Sequence, residues 1–232
     1  LHHFSNGAAD QVVRAWQEGR INSRECLLQE CDLAKATEEE LTRFFSNESL
    51  DPHFPHLVKL LRENEIPLIV LSDGLDFYIQ ILFKKYGLEG IEFYSNHLEI
   101  AGDRLIPHFP HYEDGCGECG NCKLYHFQRL YPQLKPRIYI GDGLSDRHVA
   151  ELADVLFAKG DLARICDQEG IEYQPYNDFD DVVRGIRGMV GGSLPSARNI
   201  SSKPTPRGSP AVMAMWGVGS GLIAISCLNN YG

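Results

Sequence analysis

Between residues 54 and 187, short apolar runs alternate with amphipathic stretches, and that alternation constrains the fold more than any other feature of the chain. An amphipathic stretch over 54–64 precedes "IPLIVLS", and a second covers 76–86. "IEFYSN" and "HLEIAGDRLI" follow, the latter reading as a hairpin about Gly102-Asp103. After a Cys/Gly loop come a helix over 123–131, "RIYIG", a helix over 146–152, "DVLFA", and helices over 161–168 and 179–187. Apolar runs separated by helical patterns predict βαβ units and a parallel sheet.

The flanks read differently. Residues 8–47 predict helices, with capping boxes where Asn22 stands three before Glu25 and Thr37 three before Glu40. We expect a helical cap over 1–52, an α/β core over 53–187, and a Gly/Ser/Pro-rich linker with an apolar tail over 188–232. Within that tail, residues 211–228 carry no charge, which is close to the length of a membrane span. Gly217, Gly219 and Gly221 weaken it as a helix, so a disordered or non-native tail is expected rather than an anchor.

A formal charge of -10 with no cluster of Lys and Arg argues against nucleic-acid or anionic-membrane partners. Seven cysteines are an odd number without the density of a disulfide scaffold, and no signal segment opens the sequence. A reducing, cytoplasmic setting is expected.

Ligands of a doubly wound sheet sit beyond the carboxyl ends of its strands, and two strands here end alike, in "IVLSDG" and "IYIGDG". Asp142 ends the second, with Asp146 one helical turn on; two carboxylates converging there suit Mg²⁺. Ser72 ends the first, offering a hydroxyl and the following N–H groups to an anion. Lys123 opens a helix, where the dipole disfavours a cation, which hints at a role in holding phosphate. Each has an ordinary reading too: turn and N-cap aspartates, an N-cap serine, a solvated lysine.

In the order Ser72, Lys123, then Gly-Asp-x-x-x-Asp at 141–146, the chain resembles the phosphatases of the haloacid dehalogenase superfamily, in their phosphoserine-phosphatase-like group. The words "IPLIVLSDGLDFYI", "CGECGNCK", "IYIGDGLSD" and "LFAKGDLARICDQEGIEYQPYNDF" are similar to the branch that acts on 2-hydroxy-3-keto-5-methylthiopentenyl-1-phosphate in methionine salvage. The likeness covers residues 1–187. It implies a Rossmann-like sheet with a helical cap and a Mg²⁺-dependent phosphomonoester hydrolase working through an aspartyl-phosphate. A small phosphorylated metabolite would be its substrate. Ser72 and the amides of Asp73 and Gly74 would then bind the phosphoryl group, Lys123 would neutralise it, Asp142 would ligate Mg²⁺, and Asp146 would support the metal's water shell. That pattern usually has glycine at position 73, so Asp73 is a departure that brings a negative side chain towards the phosphate.

The resemblance also implies a nucleophile, the first aspartate of an Asp-x-Asp-Gly-Thr loop after the first strand, and no such motif occurs. The nearest match, "NDFDDVV", opens a late helix and has no strand to aim Asp178 or Asp180. With a cap at its front and Leu1 as its first residue, the sequence is expected to begin inside a parent protein. Lacking the family's central strand, it would be unstable and inactive alone.

"CGECGNC" places Cys116, Cys119 and Cys122 three apart, a spacing adequate for structural Zn²⁺ with His126, His111 or His108 as fourth ligand, although free loop thiols are the more ordinary state. Two alternatives stay open: phosphoserine or another small phosphomonoester as substrate, and a non-catalytic metal-binding or interaction module. In the module Ser72, Lys123 and Asp142 need not converge.

Overall fold

The computed structural model describes residues 1–190 and 222–226. Its front end holds α1 (Asp10–Gln17), α2 (Ser23–Leu33) and α3 (Glu38–Asn47), and both expected capping boxes form, Asn22 with Glu25 and Thr37 with Glu40. Each box satisfies amide donors that the first helical turn leaves without partners. α4 (Phe54–Glu63) and α5 (Asp76–Tyr86) then flank β1 (Leu68–Leu75), and α5 stops at Gly87, whose φ of 66° is left-handed.

β2 (Glu92–Ala101) and β3 (Arg104–His108) make the expected hairpin. Beyond the Cys/Gly loop follow α6 (Lys123–Arg129), β4 (Arg137–Gly141), α7 (Arg147–Ala150), β5 (Val155–Ala158), α8 (Gly160–Glu169), β6 (Gln174–Pro175) and α9 (Phe179–Val190). The helix expected over 146–152 is shorter, a 3-10 turn at Leu144–Asp146 running into α7.

One seven-stranded sheet takes the order β3-β2-β1-β7-β4-β5-β6, where β7 is Leu222–Ile225 and only β3 runs antiparallel. The central slot of this sheet, where the resemblance puts the family's first strand, is filled from the other end of the chain. Leu222–Ile225, expected to lie in a non-folding tail, pairs in parallel with β1 on one side (Ile69↔Ala224) and β4 on the other (Tyr139↔Ala224). Ile223 and Ile225 pack with Val70, Ile140, Leu57, Leu82 and Val182 on the α4/α5/α9 face, while Leu222 and Ala224 join Ile69, Tyr139, Phe127 and Leu162 on the other. A strand buried on both faces must be apolar throughout, which "LIAI" is. Each of its large residues gains about 1.5–3 kcal/mol from burial, and its backbone closes two ladders that would otherwise end inside the core. Residues 191–221 and 227–232 of the expected linker and tail lie outside the described residues. Among the described residues no helix is long and apolar enough to cross a membrane.

The cap closes over a smaller cluster that joins Leu27, Cys31 and Leu41 to Leu75 of β1, Leu98 of β2 and Leu105 of β3. It therefore sits against the carboxyl end of β1, beside the strand ends that carry the polar residues.

Candidate active site

β1 leaves ordinary register at its carboxyl end. Leu71 pairs with Tyr94 and Leu75 with Asn96, so four steps on β1 face two on β2 and the chain bulges through Ser72–Gly74. Bulges of this kind re-aim side chains next to sites. The buried Ser72 hydroxyl accepts the Gly74 N–H at 3.1 Å and lies 3.1 Å from the Tyr78 hydroxyl.

Asp73 turns sideways, towards the cap and the Cys/Gly loop. Its carboxylate accepts the Ser23 hydroxyl at the start of α2 and, at 2.7 Å, the Asn121 N–H. Burial nevertheless lifts its pKa above the ordinary aspartate value, against the pull of those two bonds. Asn121 also donates its amide to Ser72 O (2.8 Å), and Asn96 donates to Asp73 O (2.8 Å), so both asparagines hold the bulge from behind.

On the β4 side a second network forms. The buried Lys123 ammonium donates to Asp146 Oδ1 at 2.7 Å and Ser145 Oγ at 2.8 Å. Burial alone would depress this lysine, but the Asp146 charge and hydrogen bond, helped by Asp73 and Asp142, hold its pKa above the ordinary value. Asp146, 1% exposed, accepts four further hydrogen bonds: the Tyr139 hydroxyl (2.8 Å), the N–H groups of Asp142 (3.0 Å) and Gly143 (2.9 Å), and the Ser226 hydroxyl at the end of β7 (2.8 Å). Burial opposes its charge, yet Lys123 and these donors outweigh it and push its pKa down. Gly141 is required here, since a Cβ would stand 2.7 Å from Asp146 Oδ2.

Asp142, four residues earlier, is the opposite case. Among the described residues, its half-buried carboxylate receives a hydrogen bond from its own backbone alone, and burial, then repulsion from Asp146, raise its pKa against the attraction of Lys123 and Lys159. An underpartnered carboxylate at a strand end is the donor that a hard cation such as Mg²⁺ takes, with waters and substrate oxygens completing its shell. Asp146 has both oxygens committed to the protein, so it anchors Lys123 and the turn of 142–143 rather than offering itself to a metal.

Tyr78 of α5 locates the common space. Its hydroxyl touches Ser72, and its pKa, raised first by burial, also registers the charges of Lys123, Asp73 and Asp142. Ser72 touches Tyr78, and Lys123 and Asp142 lie close enough to it to act by charge, which brings the three into one neighbourhood at the carboxyl ends of β1 and β4. Tyr139, Tyr78, Asn96, Asn121, Ser145 and Ser226 also build it and were not foreseen from the sequence. Asn121 and Ser145 had a signal in their closeness to Lys123 and Asp146, whereas the two tyrosines read as ordinary core positions.

The three loop cysteines gather as well, with Cys119 and Cys122 hydrogen-bonding each other and Cys116. Two of the three histidines expected beside them hold other partners. His126 Nε2 bonds Asn121 Oδ1 at 2.7 Å with its ring against His111 and Tyr94, and His108 Nε2 bonds Glu99 at 2.8 Å.

A hydroxyl, an ammonium and a carboxylate at the strand ends of a capped, doubly wound sheet define a Rossmann-like α/β protein with polar groups gathered where such sheets bind their ligands. The family model for haloacid dehalogenase-like hydrolases matches residues 20–151, more than half of the chain, and the chain belongs to that family. It is similar to the 2-hydroxy-3-keto-5-methylthiopentenyl-1-phosphate phosphatase of Bacillus velezensis, 32% identical over 164 residues and covering 68% of each chain. The enzyme of that name from Lysinibacillus sphaericus is 26% identical over 204 residues, covering 82% of this chain and 86% of its own length. Among solved structures, a phosphoserine phosphohydrolase-like protein from Francisella tularensis superposes with a TM-score of 0.59 at 17% identity, covering 77% of this chain and 83% of its own. The phosphoserine phosphatase of T. onnurineus gives 0.60 at 17% identity, covering 80% and 84%. At such identities these two show the fold.

Proposed function

We propose that this haloacid dehalogenase-family phosphatase houses a Mg²⁺-dependent phosphomonoesterase site for a small phosphorylated metabolite. 2-Hydroxy-3-keto-5-methylthiopentenyl-1-phosphate, named in the curated relatives, is the first candidate. The observation that carries this reading is the convergence of Ser72, Lys123 and Asp142, separated by as many as seventy positions, on one space beside Tyr78. A non-catalytic module has no need of that convergence.

Phosphoryl transfer asks a protein mainly for positioning and charge neutralisation. Lys123 has three N–H donors, two of them given to Ser145 and Asp146, which leaves the third for a phosphoryl oxygen. Ser72 supplies a hydroxyl already oriented by Gly74 and Tyr78. Asp142 would hold Mg²⁺, which when bound supplies further neutralisation of the phosphate and its leaving group. Six free thiols among the described residues suit a reducing, cytoplasmic compartment.

The resemblance calls for an aspartate nucleophile at the end of the central strand, and here that strand is followed by Ser226. Its hydroxyl gives its proton to Asp146, which is pushed below the ordinary carboxylate range and accepts four other hydrogen bonds, so Asp146 is a poor base for activating it. Purified 232-residue chain, assayed with Mg²⁺ against this substrate and phosphoserine, is therefore expected to bind phosphate esters with negligible turnover. Ser226→Asp is expected to restore measurable phosphate release. Turnover by the unaltered chain that survives Ser226→Ala would show that the nucleophile lies elsewhere.

A further inference from the structure

The Cys/Gly loop that leads into Lys123 meets the polypeptide that leaves Asp146. Ligand atoms of Cys116, Cys119 and His148 all lie within 4.8 Å of one another, and Cys122 joins by its contacts to both other sulfurs. No disulfide ties them, for all three thiols are free. Donors around a tetrahedral zinc stand about 3.5–4 Å apart, so Cys116, Cys119 and His148 need little movement to share an ion, and Cys122, already against both sulfurs, completes the set by closing towards His148.

We propose that Cys116, Cys119, Cys122 and His148 form a structural Zn²⁺ site. Three thiolates and one imidazole are an established closed tetrahedral set, with no position left open for catalysis. The local backbone is built for the approach. A Cβ at Gly115 would stand 2.6 Å from Cys122 Cβ, and Gly117 sits at φ +80°, so the loop can fold tightly only with glycine at both positions. Backbone N–H groups of Cys116 and Tyr125 point at the Cys122 sulfur, the kind of outer contact that orients a metal-bound thiolate. Arg147 Nε donates to His148 Nε2 at 3.0 Å, a bond that His148 gives up when a ring nitrogen turns its lone pair to the ion.

The fourth ligand comes from α7, not from the loop, and this gives the site its consequence. Cys122 immediately precedes Lys123, and His148 follows Asp146 by two residues. One ion would clasp the two segments whose side chains meet at 2.7 Å in the Lys123–Asp146 pair. The site stands on its own ligands and does not depend on which ester, if any, is hydrolysed.

The full chain, purified without added metal and dialysed, is expected to retain one zinc per molecule by elemental analysis. Cobalt replacing that zinc should show thiolate-to-metal absorption and the intense visible bands of a tetrahedral ion. His148→Ala should weaken retention by at least about 10- to 100-fold, since even outer-shell losses cost that much. His148→Cys, which restores a fourth ligand, should keep the metal, and this separates loss of a ligand from loss of the fold. A metal-free wild type without cobalt–thiolate absorption would overturn the site. Retention unaffected by His148→Ala would overturn the assignment of its fourth ligand.

Discussion

The carboxyl ends of β1 and β4 are spelled almost alike, "IVLSDG" and "IYIGDG", yet they spend their polar groups in opposite ways. At β1 the aspartate is absorbed into the scaffold, where Asp73 ties the bulge to Ser23 and Asn121 and leaves the serine facing the site. At β4 the aspartate in the same place, Asp142, stays almost without partners, and the structural work passes to Asp146 with its five donors. A strand ending thus fixes where a carboxylate stands, but the segments that arrive from elsewhere decide what it does. The cap and the Cys/Gly loop claim Asp73, whereas Asp146, Lys123 and Lys159 act on Asp142 by charge.

Removing the anchor of the β4 end should have the largest effect. Asp146→Ala leaves Lys123 buried without its carboxylate and strips four further donors of their acceptor, so a loss of about 3–5 kcal/mol is expected in urea unfolding. A loss under about 1 kcal/mol, the value of an exposed pair, would show that the network carries little.

The two ends should next part company in pH dependence. The folded pKa of Asp146 is depressed, so its stabilisation is present above the ordinary aspartate pKa of about 4 and is lost as pH falls through the lower folded value. The folded pKa of Asp73 is raised, so its contribution is complete below about pH 4 and is lost as pH rises through the folded value. Denaturation midpoints measured across acid pH should therefore show Asp73→Asn gaining on wild type as pH rises and Asp146→Asn falling behind. Parallel slopes would erase the distinction.

Asp142→Asn should have the smallest effect on stability and the opposite sign, a gain under about 1 kcal/mol in metal-free protein, because it relieves a desolvated charge facing Asp146. The same variant should no longer be stabilised by added Mg²⁺ in thermal melts. A clear loss of metal-free stability would mean that Asp142 has a structural role like that of Asp73.

Much of this was legible in the sequence because it depends on local chemistry. Capping boxes, the Gly102-Asp103 hairpin, the alternation of apolar runs with helices, and the order of Ser72, Lys123 and Asp142 are set by neighbours along the chain. What the sequence did not reveal depends on partners far away in it. "LIAI" sits in a Gly-rich, chargeless segment with no turn or cap to mark a strand, and the slot between β1 and β4 makes it one. Asp73 read as a negative charge facing phosphate because Ser23 lies fifty residues upstream and Asn121 forty-eight downstream. His148 escaped attention beside the cysteines for the same reason, since only the return of α7 to the loop brings them together.

The central claim is that Ser72, Lys123 and Asp142 serve one phosphate-sized space, and titration calorimetry of inorganic phosphate into the full chain with and without Mg²⁺ tests it most directly. One binding event per chain is expected, tighter with Mg²⁺. It should be weakened at least about tenfold by Lys123→Gln, as the loss of a buried charged contact predicts, weakened to a lesser degree by Ser72→Ala, and made indifferent to Mg²⁺ by Asp142→Asn. Phosphate binding that ignores all three substitutions would contradict the account.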